Sequence, residues 1–157
     1  MHDVQKLNVL LAELGHRHGI AKLKLSTEGA VGLRLKDGIE LFLEHDEKQG
    51  HLYAYTPILL LPKAHDVRLR LFAHMLELNF LGSGLAHGIL SVQHNMAMCH
   101  ASIGIANLQV DTLDQPLHQL LESRANLIDR LKACVKAETS ETLRARHSTA
   151  SLLAVLR

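Results

Sequence analysis

LYAYTPILLLPKAHDVRLRLFAHMLELNFLGSGLAHGIL, residues Leu52 to Leu90, decides how the chain is organised. It reads as an apolar strand, a loop bracketed by Pro57 and Pro62, a helix from about Asp66 to Leu81, and the glycine-rich exit Gly82-Ser83-Gly84. At about 100° per residue, Val67, Leu71, Met75 and Leu78 fall on one side of that helix. Leu69, Phe72, Leu76 and Phe80 fall roughly opposite. One side can bury against the chain's own sheet. A small domain has no second core for the other, so all eight residues are expected to hold a homodimer together, with either side free to face the partner subunit.

Towards the N-terminus, Val4, Leu7, Leu10, Leu11 and Leu14 share one face of a helix that starts near Asp3 and frays through His16-Arg17-His18 to Gly19. Alternation begins weakly at Ile20, Leu23 and Leu25 and becomes clear at Val31, Leu33 and Leu35. The turn at Lys36-Asp37-Gly38 sets the register. A two-residue loop mixes apolar and charged side chains on one face, whereas a three-residue loop pairs Leu35 with Ile39, Leu33 with Leu41 and Val31 with Leu43. The second register is expected. It sets Arg34 opposite Glu40 and leaves Phe42 exposed between Glu40 and Glu44.

A third strand is expected over His51 to Thr56, completing a three-stranded meander. Beyond the central helix, Gly88 to Gln93 and Met98 to Ile105 form a second hairpin around His94-Asn95. Leu113, Leu117, Leu120, Leu121, Ile128, Leu131 and Val135 make one stripe on a last helix capped by Asp114, with Pro116 in its first turn. Residues 139–157 read as an appended tail with possible helix, carrying Arg144, Arg146, Arg157 and a late apolar cluster; residues 1–138 read as one domain. Adjacent strands separated by helices favour an α+β fold with an antiparallel twisted sheet.

The totals narrow the function. The chain has 157 residues, the size of one domain, and a formal net charge of +1 with 3% aromatics and no Trp. That is poor equipment for stacking single-stranded nucleic acid, and no nucleic-acid partner is expected. No apolar run approaches the roughly 20 residues of a spanning helix, so no membrane insertion is expected either. The N-terminus lacks a signal peptide's basic start, and Cys99 and Cys134 lack Cys-x-x-Cys spacing, both consistent with a reducing cytoplasm.

Catalytic chemistry is hard to find. The run Gly82 to Gly88 follows a helix and precedes a strand, the reverse of a dinucleotide loop, and reads as a C-cap and tight turn. Twelve histidines raise the question of metal, but neither His16 with His18 nor His94 with Cys99 and His100 has ligand spacing. Glu40 with Glu44 and Asp111 with Asp114 are explained by a solvated strand face and a helix start. No catalytic residue, metal or cofactor is expected.

The segments LNVLLAELG, GAVGLRLKDGIELFLEH, LYAYTPILLLP, LRLFAHMLELNFLGSG and LDQPLHQLLE, in this order, resemble the bacterial type III secretion effector chaperones of the Tir-chaperone type, over about residues 4 to 136. The chain departs from such chaperones in its sequence pI of about 7.9, in the missing Trp, and in His87-Gly88 and Gln93. The resemblance implies a cytoplasmic, non-catalytic homodimer. Such a dimer binds the N-terminal region of a secreted effector in extended form, keeps it secretion-competent and delivers it to the secretion ATPase. An extended segment can add a strand to a sheet edge while alternate side chains enter apolar grooves. The effector-binding candidates are then Leu7 and Leu11 on the first helix, Leu33, Leu41 and Phe42 on the meander, and Tyr53 and Tyr55 on the third strand. Each has a core position as its plain alternative, and for Leu33 and Leu41 the two readings stand level. The competing function is a small ligand-binding, regulatory α+β dimer with its site at the glycine turn near His87.

Overall fold

The computed structural model describes residues 2–80 and 88–155, with the side chains of residues 3–80 and 88–136. Three helices and five strands follow in the order α1 (His2–His18), β1 (Ala30–Arg34), β2 (Glu40–Asp46), β3 (His51–Leu60), α2 (His65–Asn79), β4 (Ile89–Gln93), β5 (Met96–Gly104) and α3 (Val110–Val155). The strands make one antiparallel sheet in the order β1-β2-β3-β5-β4. The expected α+β architecture is therefore found, with meander and second hairpin joined through β3 and β5.

The expected β1–β2 register is the one observed: Val31 pairs with Leu43, Leu33 with Leu41 and Arg34 with Glu40. Gly38 closes the turn at φ 72°, a left-handed backbone that favours glycine, and the Leu35 N–H donates to the Ile39 carbonyl at 2.8 Å. Arg34 and Glu40 meet at 2.9 Å. The β4–β5 hairpin turns on His94 and Asn95, both at positive φ, as a two-residue turn of the primed type requires.

One sheet face is covered. Leu41 and Leu43 of β2, Leu52, Ala54 and Ile58 of β3, and Leu90 of β4 are buried beneath Leu7, Leu11 and Leu14 of α1, Leu71, Met75 and Leu78 of α2, and Leu113, Leu120, Leu127 and Leu131 of α3. Thr56, fully buried among them, donates its hydroxyl to the Glu40 carbonyl at 2.7 Å. The other face carries Phe42, Tyr53, Tyr55, Met98 and His100, with no helix packed over it among the described residues.

Several local expectations are corrected. Ile20 to Leu25 forms no strand: Lys22 lies at φ 59°, and the Leu25 N–H is taken by Asn8 Oδ1 at 2.8 Å. This turn packs so closely on α1 that a Cβ at Gly15 would lie 2.7 Å from the Ile20 carbonyl oxygen. The end of α1 does not fray, because Arg17 pairs with Asp111 and His18 with Asp114 at 2.9 Å, both on α3. Pro57 does not end β3, which runs on to Leu60 through a shift of register between Pro57 and Leu59. A bulge accommodates the missing donor, and the Pro57 carbonyl accepts from Arg124 Nε at 3.0 Å.

Asp66 is not the cap of α2; the helix starts at His65 behind Ala64 without a side-chain cap, and Asp66 pairs with Arg70 at 3.5 Å. Asp114 is likewise inside α3. That helix opens after Gln109, whose N–H donates to Thr112 Oγ1 at 2.9 Å while the Thr112 hydroxyl bonds back to the Gln109 carbonyl at 3.0 Å. Pro116 therefore falls in the second turn rather than the first. The backbone of α3 continues through residues 139–155, the segment read as a tail with possible helix. Leu81, the glycine exit at 82–84 and the turn at His87 lie outside the described residues.

Candidate functional site

The two edges of the sheet differ. At β4, the side chain of Asn79 on α2 donates to the Leu90 carbonyl at 3.0 Å and accepts from the Leu90 N–H at 2.8 Å. A helix amide thus occupies the outward backbone groups of the edge strand at Leu90, which blocks further pairing at that residue. At β1, Ser26 bonds in a similar way to Ala30, its N–H to the Ala30 carbonyl at 2.8 Å. Beyond that point the alternation of an antiparallel pair turns the N–H and C=O groups of Gly32 and Arg34 away from β2, towards the free edge.

Alongside this edge runs a groove of about 540 Å³, between β1, the turn after α1, and α3. Leu14, Ile20, Leu23, Leu33, Leu117 and Leu121 give it apolar walls, and Arg34, Lys36, Asp37 and His118 stand at its rim. Its end is held by the His18–Asp114 contact, which fixes α1 against α3. The arrangement offers main-chain partners and an apolar trough side by side, as an added strand requires.

The open sheet face holds a second depression of about 530 Å³. Tyr53, Tyr55, Met98 and His100 line it, and Glu44, Asp46, Glu47 and Lys48 also contribute. Phe42 stacks on Tyr55 with ring centroids 5.3 Å apart and planes at 16°, and His51 stacks on Tyr53 at 6.3 Å. The Tyr55 hydroxyl donates to Glu44 Oε2 at 3.3 Å; burial, then the Glu44 charge, raises its pKa above the ordinary tyrosine value. His100 lies against Ser91 Oγ at 3.1 Å, and burial lowers its pKa. Beside it, burial pushes the Cys99 thiol up to about 11, away from nucleophilic chemistry. Among the described residues no group of three His, Cys, Asp or Glu side chains could hold a metal ion, and no helix is long and apolar enough to cross a membrane.

Residues 9–127 match the family model of the Tir chaperone protein (CesT) family. The chain belongs to that family. The match covers most of the sequence and bears out the resemblance carried by its segments. Among curated proteins, none matches significantly by sequence. Among solved structures, this Tir-chaperone chain is similar to a chain of the ExsC–ExsE complex, with a TM-score of 0.70 and 20% identity over 82% of this chain and 95% of that one. It is also similar to a chain of the HopA1–SchA chaperone–effector complex, with a TM-score of 0.61 and 19% identity over 78% and 93%. A third likeness is to a chain of the heterodimeric ExoU–SpcU complex from the type III secretion system of Pseudomonas aeruginosa, with a TM-score of 0.58 and 22% identity over 78% and 95%. At these identities the likeness establishes a shared fold.

Within this Tir-chaperone fold, the seven effector-binding candidates do not form one patch. Leu7 and Leu11 are core, 2% and 0% exposed, and Leu41 is also buried, at the floor of the groove. Leu33 is half-buried in the groove wall. Phe42, Tyr53 and Tyr55 lie on the opposite face of the sheet, and Phe42 is half-buried rather than exposed because Tyr55 covers its ring. The residues that sequence reasoning missed are Ile20, Leu23, Leu117 and Leu121 of the groove. Leu117 and Leu121 had a signal, an i, i+4 pair on a stripe wider than a core needs. Of the carboxylates on the open face, Glu44 was visible as a flank of Phe42, but its place over Tyr53 and Tyr55 depends on the β2–β3 pairing and the approach of Met98 and His100 on the β3–β5 pairing.

The helix α2 divides its two sides unequally. Leu71, Met75 and Leu78 are buried in the chain's own core, and Val67 and Phe72 are half-buried. Leu69, Leu76 and Phe80 stay 54%, 70% and 68% exposed. Val92 of β4 is exposed too, whereas Ile89, which pairs with His100, is exposed on the open face of the sheet.

Proposed function

We propose that this Tir-chaperone family member is a cytoplasmic, non-catalytic chaperone that binds the N-terminal region of a type III secreted effector in extended form, keeping it soluble and competent for secretion. The observation that carries the reading is the β1 edge, unpaired at Gly32 and Arg34 among the described residues, beside the apolar groove around Leu33 and Leu117. An effector segment adds a strand there, and its alternate side chains enter the groove. The HopA1–SchA structure, a chaperone–effector complex of similar fold, supports this choice of partner. Two copies of the chain associate through the exposed side of α2, around Leu69, Leu76 and Phe80, and the loaded dimer hands its effector to the secretion ATPase.

A pair of variants at one position tests the strand addition. Arg34→Pro removes an edge-facing N–H without touching the ladder to β2, whereas Arg34→Ala removes the side chain and keeps the N–H. In calorimetric titration of the N-terminal segment of a co-expressed effector, Arg34→Pro is expected to weaken affinity by about fivefold to tenfold, the worth of one hydrogen bond. Arg34→Ala should stay within about twofold, as expected for an exposed side chain. Equal affinities for the two variants would remove the β1 edge from the mechanism.

A further inference from the structure

The depression on the open sheet face is unlike the groove in both charge and chemistry. Glu44, Asp46 and Glu47 bring three carboxylates to its lining, beside the ammonium of Lys48 and the imidazoles of His45 and His100. Burial lowers the pKa of His100, which disfavours a cationic imidazole there. The floor is aromatic, and its rings are already positioned: Tyr55 by its stack on Phe42, Tyr53 by its stack on His51 and by its hydroxyl bond to Gln49 Oε1 at 3.1 Å.

We propose that this basin binds the guanidinium of an arginine carried by the client segment, an assignment that rests on the client-binding function proposed above. A guanidinium is flat, permanently charged and weakly hydrated, so it can lie on a tyrosine face while its N–H fork reaches a carboxylate. Both partners are present. Tyr55 holds Glu44 through one carboxylate oxygen and leaves the other free to accept. Asp46 is held in the β2–β3 turn, where its Oδ1 accepts from the N–H groups of Lys48 and Gln49 at 3.0 and 3.1 Å, and it contributes charge from there. An aliphatic side chain in the same place would strip water from the Glu44 carboxylate without pairing it, and an acidic one would be repelled. A lysine ammonium meets the charge but has no plane to stack.

The basin and the groove lie on opposite faces of the sheet, so a client that uses both must cross an edge of it. That path suits an extended segment and excludes a compact one.

The test is an NMR titration of the full chain with N-acetyl-L-arginine amide, with the norleucine and lysine amides as uncharged and non-planar controls. The arginine probe is expected to shift the backbone amides of residues 44–48 and 53–55 saturably. Binding should weaken by about threefold or more in the double variant Glu44→Gln, Glu47→Gln, the scale of an exposed ion pair. An amide spectrum otherwise superimposable on the wild type shows that the variant is folded. Norleucine amide should leave the basin unshifted. The proposal is overturned if the arginine probe shifts nothing there, if the double variant binds it equally, or if norleucine or lysine amide binds as well. A second titration, with the effector's N-terminal segment, separates this proposal from the chaperone function. Equal effector affinity in wild type and double variant removes the basin and leaves the chaperone intact. Absence of any effector binding, with arginine binding retained, removes the chaperone and leaves the cation site.

Discussion

Leu33 and Arg34 are neighbours in sequence and serve different surfaces. Period-two geometry sends Leu33 to the groove and Arg34 to Glu40 on the open face, and both placements follow from the register of one turn. That much was legible, because only one register put Val31, Leu33 and Leu35 against apolar partners. Phe42 was half legible. Its face was set by the same register, but the ring that covers it belongs to Tyr55, and a strand pairing decides that contact. His100 makes the case for context more strongly, since nothing in its sequence neighbourhood announces that burial depresses its pKa. The depressed pKa means that the unfolded chain binds the proton more readily than the folded one. The contribution of His100 to stability is therefore complete above the unfolded value of 6.5 and is lost as pH falls below it. Thermal melts at pH 7.5 and 5.5 check this: the fall in Tm should be smaller for His100→Gln than for the wild type, and equal falls would contradict it.

Among the elements, α2 is the one whose sequence posed a question and whose packing answers half of it. Both apolar sides were visible on the wheel, but which one belongs to the monomer was not, because amphipathic arithmetic treats the two sides alike. The sheet decides. Asn79 grips the β4 backbone at Leu90 and fixes the rotation of the helix, which turns Leu71, Met75 and Leu78 inward and leaves Leu69, Leu76 and Phe80 outside. Two charge insertions should then behave differently. Leu71→Glu buries an unpaired carboxylate at a fully enclosed position and should unfold the chain, a cost of several kcal/mol. Leu76→Glu should leave the monomer's stability within about 0.5 kcal/mol, while sedimentation shows the proposed dimer dissociating. A Leu76→Glu protein that remains dimeric would move the interface off this side of α2. The elements misread from sequence have physical explanations: Pro57 can sit in a strand where a bulge absorbs its missing donor, and an aspartate near a helix start can serve a neighbouring helix instead of its own, as Asp114 does for His18.

At the scale of the whole molecule, the sheet has one face under helices, one face open, and two unlike edges. The β4 edge is engaged by Asn79, and the exposed apolar side of α2 lies near it; the β1 edge is open at Gly32 and Arg34 and flanked by a groove. In the proposed function, self-association belongs to one end of the sheet and client capture to the other, so that a dimer would carry an extended segment across its outer surfaces. Hydrogen exchange at two amides tests that division most directly. When the N-terminal segment of the effector is added, the amides of Gly32 and Arg34 should slow by about tenfold or more as they enter a new ladder, while those of β4 stay unchanged. Effector binding that leaves both β1 amides exchanging at their free rate would contradict the account.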